Sequence, residues 1–369
     1  MDKISWISCD CFVDTDLPIV CRLQSYYKIL LIIVVAKGNN INYESYVLNG
    51  LEKCPNVEVK FIYLTHRFRS IFNISDYIRL ITEAKRFVPN IYYIAFQGMP
   101  YGVLLYKFML PIHKCIVSCH NVSTPKGATN GNLANFTTKM WLNSFTNINV
   151  FSRFQADELN RRYPSKRILE TPFFLKDYGQ LKHNIDKKNQ ATIRFLSFGN
   201  IVAYKRIDLL IVATNLLVER GIKKFVVRIA GNCKNWGDYE KLIKYPDKIE
   251  LQIERIPNEE IPALFEDSHY FMLPYQDIAQ SGSISIAFNY NLPTIVSDIP
   301  QFDEFVVNNQ TSLSFKSQNA ESLADTMQYA IEHHHEIYES LCKRQKRFVD
   351  EKFSDRPIIE KYKTFFNSL

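Results

Sequence analysis

RFLSFGNIVAYKRIDLLIVATNLLVERG, residues 194–221, reads as a strand, a tight turn and a helix in direct succession. The apolar run 194–198 is too short for a helix and stops at Gly199, so it predicts a buried strand. From Lys205 the apolar residues recur at helical spacing, and Gly221 supplies the residue that ends the helix in the left-handed region. Gly199 lets the backbone approach another group closely. The helix start offers unpaired N–H groups and a positive dipole end, and Lys205 adds a mobile charge. These parts together suit a diphosphate. A plain strand-to-helix turn with a solvated lysine would use the same letters, so the rest of the chain has to decide.

The pattern repeats on both sides of this stretch. FVVRIAG (225–231), IELQIE (249–254), YFMLPY (270–275) and PTIVSD (293–298) read as further strands, with helical patterns in EEIPALFEDS, SISIAFNYN and ESLADTMQYAIEHHHEIY. In the first half KISWISC (3–9), YKILLIIVVA (27–36), VEVKFIYL (57–64), IYYIAF (91–96), KCIVSCH (114–120) and NINVFS (147–152) are strand candidates. Helical patterns start at Ser75, Asn135 and Arg153. Continuous apolar strands separated by helices imply parallel sheets covered on both faces. A chain of 369 residues exceeds one ordinary core. The polar segment LKDYGQLKHNIDKKNQAT (175–192) has no apolar period and is read as the linker. The expected class is therefore α/β: a Rossmann-like doubly wound domain over 1–174, the linker 175–192, and a second such domain over 193–350. A C-terminal helix over 351–369 is expected to pack back on the first domain. Two such domains would face a central cleft at the carboxyl ends of their strands, where ligands bind.

A second constellation lies in LPYQDIAQSGSISIAFNYNLPTIVSD (273–298). A strand ends at Pro274–Tyr275, a polar loop follows, and Ser281 with Gly282 opens another helix. Backbone N–H groups would again point outward at a strand end, with the Ser281 hydroxyl as cap or phosphate donor.

Net charge is +7 and unevenly placed. Residues 1–172 hold 20 Lys/Arg against 12 Asp/Glu, so the whole excess lies in the first half. A basic face favours phosphates or an anionic membrane surface. No interleaved basic and aromatic motif appears, so nucleic acid is not an expected partner. The eight cysteines form no pair of CxxC knuckles. The N-terminus lacks the apolar core of a signal peptide, and the run 29–36 is far short of the ~20 residues a membrane crossing needs. These features predict a cytoplasmic protein with reduced thiols, peripheral on the inner face of the cytoplasmic membrane.

Asp14-Thr15-Asp16 has the spacing of a DxD metal motif. It comes only a few residues after the first strand and precedes Pro18, so it is read as a helix cap or an acceptor-side pair, and no metal is expected. His333–His335 are about 100° apart around a helix and do not converge on an ion, so a surface helix is expected there.

The ordered pairing of FGNIVAYKRIDLLIVA with IPNEEIPALFEDSHYFMLPYQDIAQSGSISIAFNYNLPTIVSDIPQFDEFVVNN resembles the retaining GT-B glycosyltransferases of the glycosyl transferases group 1 kind, over roughly residues 190–330. The resemblance implies two Rossmann-like domains, with a nucleotide-diphosphate sugar held mainly by the second. It assigns Lys205 to the donor diphosphate with Gly199 and Asn200 nearby, and Ser281 and Gly282 to the distal phosphate or sugar. It sets Arg255, Ile256 and Pro257 along the base, counts Tyr275 among the donor-binding residues, and makes His120 a catalytic residue together with Lys205. Two departures stand out. Asn200 occupies a place where many relatives carry arginine, and Ile278 and Ile286 fall where they carry paired glutamates. Asp277 and Glu304 are the nearest carboxylates that could replace these. Asp14 and Asp16 remain the acceptor-side pair. The implied activity moves a sugar to a polysaccharide or lipid-diphosphate-linked glycan acceptor, with retention and without metal or other cofactor. A sugar-nucleotide epimerase or hydrolase and a non-catalytic binding subunit remain as alternatives.

Overall fold

The computed structural model describes residues 1–38, 43–96, 98–123, 131–183, 186–278 and 282–369. The chain divides into two compact units. The first comprises residues 1–124, 130–174 and 355–369, and the second 125–129 and 175–354.

The first unit alternates strand and helix: β1 (Lys3–Cys9), α1 (Val13–Leu23), β2 (Lys28–Val35), α2 (Tyr43–Leu51), β3 (Val57–Tyr63), α3 (Ile74–Arg86), β4 (Ile91–Ile94), α4 (Pro100–Met109), β5 (Cys115–Ser118), α5 (Gly131–Ser144), β6 (Asn147–Val150), α6 (Arg153–Arg162) and β7 (Arg167–Glu170). The sheet order is β3-β2-β1-β4-β5-β6-β7, every neighbour parallel. KILLIIVV in β2 shows why. Leu30, Ile32 and Val34 join the core on one face, while Ile29, Leu31, Ile33 and Val35 join the core on the other. A strand buried on both sides cannot afford the polar alternation of an exposed sheet.

The second unit contains β8 (Ile193–Phe198), α7 (Ile207–Glu219), β9 (Phe225–Ala230), α8 (Gly237–Glu240), β10 (Ile249–Gln252), α9 (Ile261–Glu266), β11 (Tyr270–Leu273), α10 (Gly282–Asn289), β12 (Thr294–Ser297), β13 (Ser312–Phe315), α11 (Ala320–Glu332) and α12 (His334–Lys352). Its order, β10-β9-β8-β11-β12-β13, is again wholly parallel. The order reverses between β8 and β11, and a doubly wound sheet offers its ligand crevice at that point. Gly221 ends α7 with a φ of 82°. Its N–H bonds the Val218 carbonyl at 2.9 Å and that of Ile222 bonds Leu217 at 3.0 Å.

A last helix, α13 (Asp355–Phe366), completes the first unit. It buries Ile358, Ile359, Tyr362 and Phe366 against the core that holds Trp6 and Tyr93. The Asn149 Oδ1 accepts from Tyr93 at 2.6 Å and from Tyr362 at 3.1 Å. The amide of Asn149 donates to the Leu169 carbonyl at 2.8 Å and to Thr171 at 3.0 Å. This closed buried network fixes where the helix docks.

The polar segment 175–192 belongs to the second unit. The Tyr178 N–H donates to the Tyr290 hydroxyl at 3.0 Å, and the Lys187 amine donates to the Phe265 carbonyl at 2.9 Å. The histidine triplet is not a surface feature throughout. One helix gives way to the next at His333, and His334 is buried, its ring 4.7 Å from that of Tyr338. Its Nε2 bonds the Lys187 carbonyl at 2.9 Å.

The cap reading of Asp14-Thr15-Asp16 and the acceptor reading of Asp16 are corrected in the same way. The cap position of α1 is Phe12, so both aspartates lie inside the helix. Asp16 is 1% exposed and accepts from the Ser8 hydroxyl of β1, which removes it from any acceptor surface. Asp14 is half-buried and takes a hydrogen bond from Tyr46. Burial pushes the Asp16 carboxyl up to about 7, with the Ser8 bond opposing. A carboxyl raised on folding favours the folded state while protonated, and that contribution is lost as pH rises through about 7. Asp16→Asn should therefore gain stability over the native chain at pH 8, by up to about 4 kcal/mol, with the gain vanishing near pH 4. Urea unfolding at both pH values checks this; a gain independent of pH would remove Asp16 as the titrating group.

Candidate functional site

The site grows out of a collision that two glycines avoid. Gly199 follows β8 with φ 108° and Gly231 follows β9 with φ 146°, a region that side chains rarely adopt. A Cβ built on Gly231 would lie 2.2 Å from the Gly199 carbonyl oxygen. The two strand ends can lie side by side only because Gly231 carries no side chain. Backbone bonds pin them, with the Gly199 N–H to Ala230 and the Gly231 N–H to Gln252, both at 2.9 Å.

Lys205 occupies the space so opened. The turn 203–205 is a single 3-10 turn, closed by the Lys205 N–H on the Val202 carbonyl at 2.9 Å. A Cβ on Gly199 would meet the Lys205 Nζ at 3.0 Å and the Ser283 Oγ at 3.5 Å. The Lys205 amine therefore stands against the Gly199 backbone, beside the first turn of α10. It is 8% exposed and lies 5.4 Å from the centre of the Tyr275 ring. Among the described residues no carboxylate pairs with it. Burial holds its amine below the usual lysine value. A buried ammonium whose best neighbour is a ring face invites an anion.

Arg206, next in sequence, has a left-handed φ of 51° and a guanidinium bound to Asp208 at 2.8 Å. Strain in a non-glycine residue at this turn turns the Arg206 charge to Asp208 and leaves the pocket to Lys205.

The carboxyl end of β11 supplies the other wall. Tyr275 is buried, and its hydroxyl bonds Ser283. α10 begins at Gly282, where an added Cβ would stand 3.5 Å from the Lys176 amine. Ser281 lies outside the described residues. The Asp277 carboxylate accepts from Gln301 at 3.1 Å, which ties the loop after β11 to the one after β12, where half-buried Glu304 also sits. Asn200 is exposed on the turn after Gly199. Beyond β10, Arg255 is exposed, Ile256 is buried and Pro257 is half-buried. The structure thus gathers Gly199, Lys205, Tyr275 and the start of α10 into one place. Gly231, Ser283 and Lys176 join them unforeseen. The glycine ending FVVRIAG was a readable signal; nothing in the polar segment around Lys176 marked it.

His120 belongs to the first unit. It follows β5, is buried, and stacks on Phe12 with ring centres 3.9 Å apart and planes inclined by 2°. The rings of Phe151 and Phe173 lie at 4.8 Å and 6.1 Å.

Residues 180–348 match the model of the family described as glycosyl transferases group 1. No curated protein matches the chain. Sucrose-phosphate synthase from Thermosynechococcus elongatus superposes with a TM-score of 0.74 at 12% identity, covering 100% of this chain and 99% of its own. Anabaena HepE in complex with UDP and glucose gives 0.75 at 12% identity, with 100% of both chains covered. A glycosyltransferase from Rickettsia africae gives 0.72 at 15%, covering 100% and 98%. At these identities the likeness shows a shared fold, and that fold is GT-B.

Gly231→Ala should lower stability by about 1–3 kcal/mol through φ alone, and further through the clash. Denaturant midpoints measure it. A midpoint equal to that of the native chain would mean that the close approach of the two turns constrains nothing.

Proposed function

We propose, from the membership of residues 180–348 in the glycosyl transferases group 1, that this glycosyltransferase draws its sugar from a nucleotide diphosphate whose phosphates meet Lys205. The observation that carries the reading is the buried Lys205 amine, set against a glycine backbone with no carboxylate among the described residues to neutralise it. In such a transfer the barrier is the departure of the nucleoside diphosphate from an oxocarbenium-like sugar carbon. Charge grows on the leaving phosphate, and a cation already desolvated and in place stabilises it without reorganisation. The start of α10 and the backbone N–H groups after Gly199 add dipoles of the same sign.

The donor class drawn from this is a uridine diphosphate sugar, since HepE is found with UDP and with UDP-glucose. We assign the base-side wall to Arg255, Ile256 and Pro257. Asp277 and Glu304 take the place of the missing glutamates, and His120 takes the second catalytic role. The reaction is proposed to need no metal, because Lys205 and helix dipoles supply the positive charge, and to proceed with retention. Lys205→Ala, assayed in EDTA against a folded control, should lose turnover by about 10²–10³. Equal turnover in the folded variant, or native activity that EDTA abolishes and Mg²⁺ restores, would remove this mechanism.

The proposed acceptor is a glycan on a lipid diphosphate, reached at an anionic membrane surface. Among the described residues no helix is long and apolar enough to cross a membrane. The first unit instead exposes Phe68, Ile71, Phe72, Leu104 and Phe108, the last at 80%. Arg67, Arg69 and Lys107 are exposed among them. The Tyr101 hydroxyl of α4 holds the Ser70 carbonyl at 2.7 Å, which ties the two groups together. Each cation near an anionic leaflet contributes about 1 kcal/mol, and exposed aromatics add to it. The protein should float with vesicles containing phosphatidylserine, release in high salt, and stay in solution as the Arg67→Glu/Arg69→Glu variant. Failure to float at low salt would end the membrane claim alone.

A further inference from the structure

The first sheet also reverses its strand order, between β1 and β4, and the residues at the carboxyl end of β1 there are Cys9, Asp10 and Cys11. The chain turns tightly at this point. The Phe12 N–H donates to the Cys9 carbonyl at 3.0 Å, closing a four-residue turn that folds Cys11 back over Cys9. The two Sγ atoms stand 2.9 Å apart, with Cys9 buried and Cys11 exposed.

A metal is the first chemistry to consider, since the Asp10 carboxylate lies within 4.8 Å of both sulfurs. The spacing is wrong for it. Two thiolates bound tetrahedrally at about 2.3 Å from zinc stand roughly 3.8 Å apart. Among the described residues no fourth ligand of the usual kind joins the three. A separation of 2.9 Å is too short for two ligands and close to what a bond between the sulfurs requires.

We propose that Cys9 and Cys11 are an oxidisable dithiol, closed by a hydroperoxide, whose state sets the position of Phe12 against His120. The Cys11 thiolate, open to solvent, attacks the peroxide oxygen; the O–O bond breaks, hydroxide leaves, and Cys11 becomes a sulfenic acid. The Cys9 sulfur then attacks the Cys11 sulfur. The S–S bond forms, the S–O bond breaks, and the departing hydroxyl takes the Cys9 proton as water. In sum two thiols and one hydrogen peroxide become one disulfide and two waters. The environment fits this order, because the hydrogen bond to Cys11 and burial together hold the Cys9 thiol well above its usual value. Cys9 thus waits as the thiol that resolves the sulfenic acid.

The consequence follows from what can move. Cys9 is locked in β1, paired with Val34, and the Asp10 N–H is bound to the Val34 carbonyl at 3.0 Å. Closing the sulfurs from 2.9 Å to about 2.05 Å must therefore shift Cys11 and the residue after it. That residue is Phe12, whose carbonyl starts α1 by accepting from Thr15 and Asp16, and whose ring covers His120 at 3.9 Å. An effect on turnover rests on the catalytic reading of His120; the thiol chemistry and the ring contact do not.

The test treats the full chain with stoichiometric hydrogen peroxide, removes the peroxide, alkylates with N-ethylmaleimide under denaturing conditions, and maps the peptides. Cys9 and Cys11 should leave the alkylated pool together, ahead of the other six cysteines, and return on reduction. In Cys11→Ser, Cys9 should stay alkylated; in Cys9→Ser, Cys11 should be trapped by dimedone as the sulfenic acid. The His120 ring-proton resonance of the native chain should shift on oxidation and not in Cys11→Ser. Cys9 still alkylated after peroxide overturns the proposal, as does stoichiometric zinc retained through dialysis. A disulfide that leaves the His120 resonance in place overturns the link to Phe12. A shifted resonance with unchanged turnover refutes instead the catalytic role of His120.

Discussion

Gly231 stands so close to the Gly199 backbone that it cannot carry a methyl group, and the second unit's site depends on that contact. In a doubly wound parallel sheet the strand ends splay with the twist, and side chains ordinarily fill the space between the turns that follow. Here the space is left to backbone. One consequence is that the two turns run backbone against backbone, pinned by the Gly199 and Gly231 N–H groups. The other is room for a lysine side chain to lie against the turn instead of pointing into solvent. A Cβ on Gly231 would force the two turns apart, and one on Gly199 would press on the Lys205 amine.

Packing then decides the electrostatics. Lys205 is buried by the turn that carries it, by Tyr275 and by the start of α10, so its charge is desolvated before any ligand arrives. A solvated lysine would have to shed water while an anion approached; this one has already done so at the expense of fold stability. The left-handed Arg206 belongs to the same turn, and its guanidinium is paired with Asp208. The two switch points are thus chemically unlike. The one after β8 holds a cation over open backbone. The one after β1 holds two sulfurs, the Asp10 carboxylate and a turn, while Asp16 of α1 is turned inward to Ser8.

The legible part of this protein was the part set by period and punctuation. KISWISC spans the seven residues of β1, and Gly221 ends α7 as its position demanded. RILE and SLSF, which form β7 and β13, went unread, since four residues at a sheet edge carry too little apolar signal to stand out. Asp16 shows the opposite failure. Its spacing to Asp14 and Pro18 was conspicuous, yet α1 begins at Val13, four residues earlier than a cap at Asp16 would require, and rotates that carboxylate into the core. His334 was read as surface because its neighbours are polar; a break between two helices, invisible in composition, turns it inward. Lys205 and Tyr275 could be placed from their loops. Lys176 could not, because its position beside Gly282 depends on the path of a segment with no periodicity.

The same physics explains how a chain can share only 12% of its residues with a structure it superposes on throughout. The two faces of β2 need residues that are apolar and of suitable volume, and many combinations of Val, Ile and Leu fill them. The docking of α13 needs a satisfied polar network, which Asn149, Thr171, Tyr93 and Tyr362 provide in one way among several. Such positions drift while the backbone stays. Gly231 has no such freedom, because a Cβ there would meet the Gly199 carbonyl. The fold is thus held by many replaceable choices, while the close approach of the two turns rests on one residue that has no substitute.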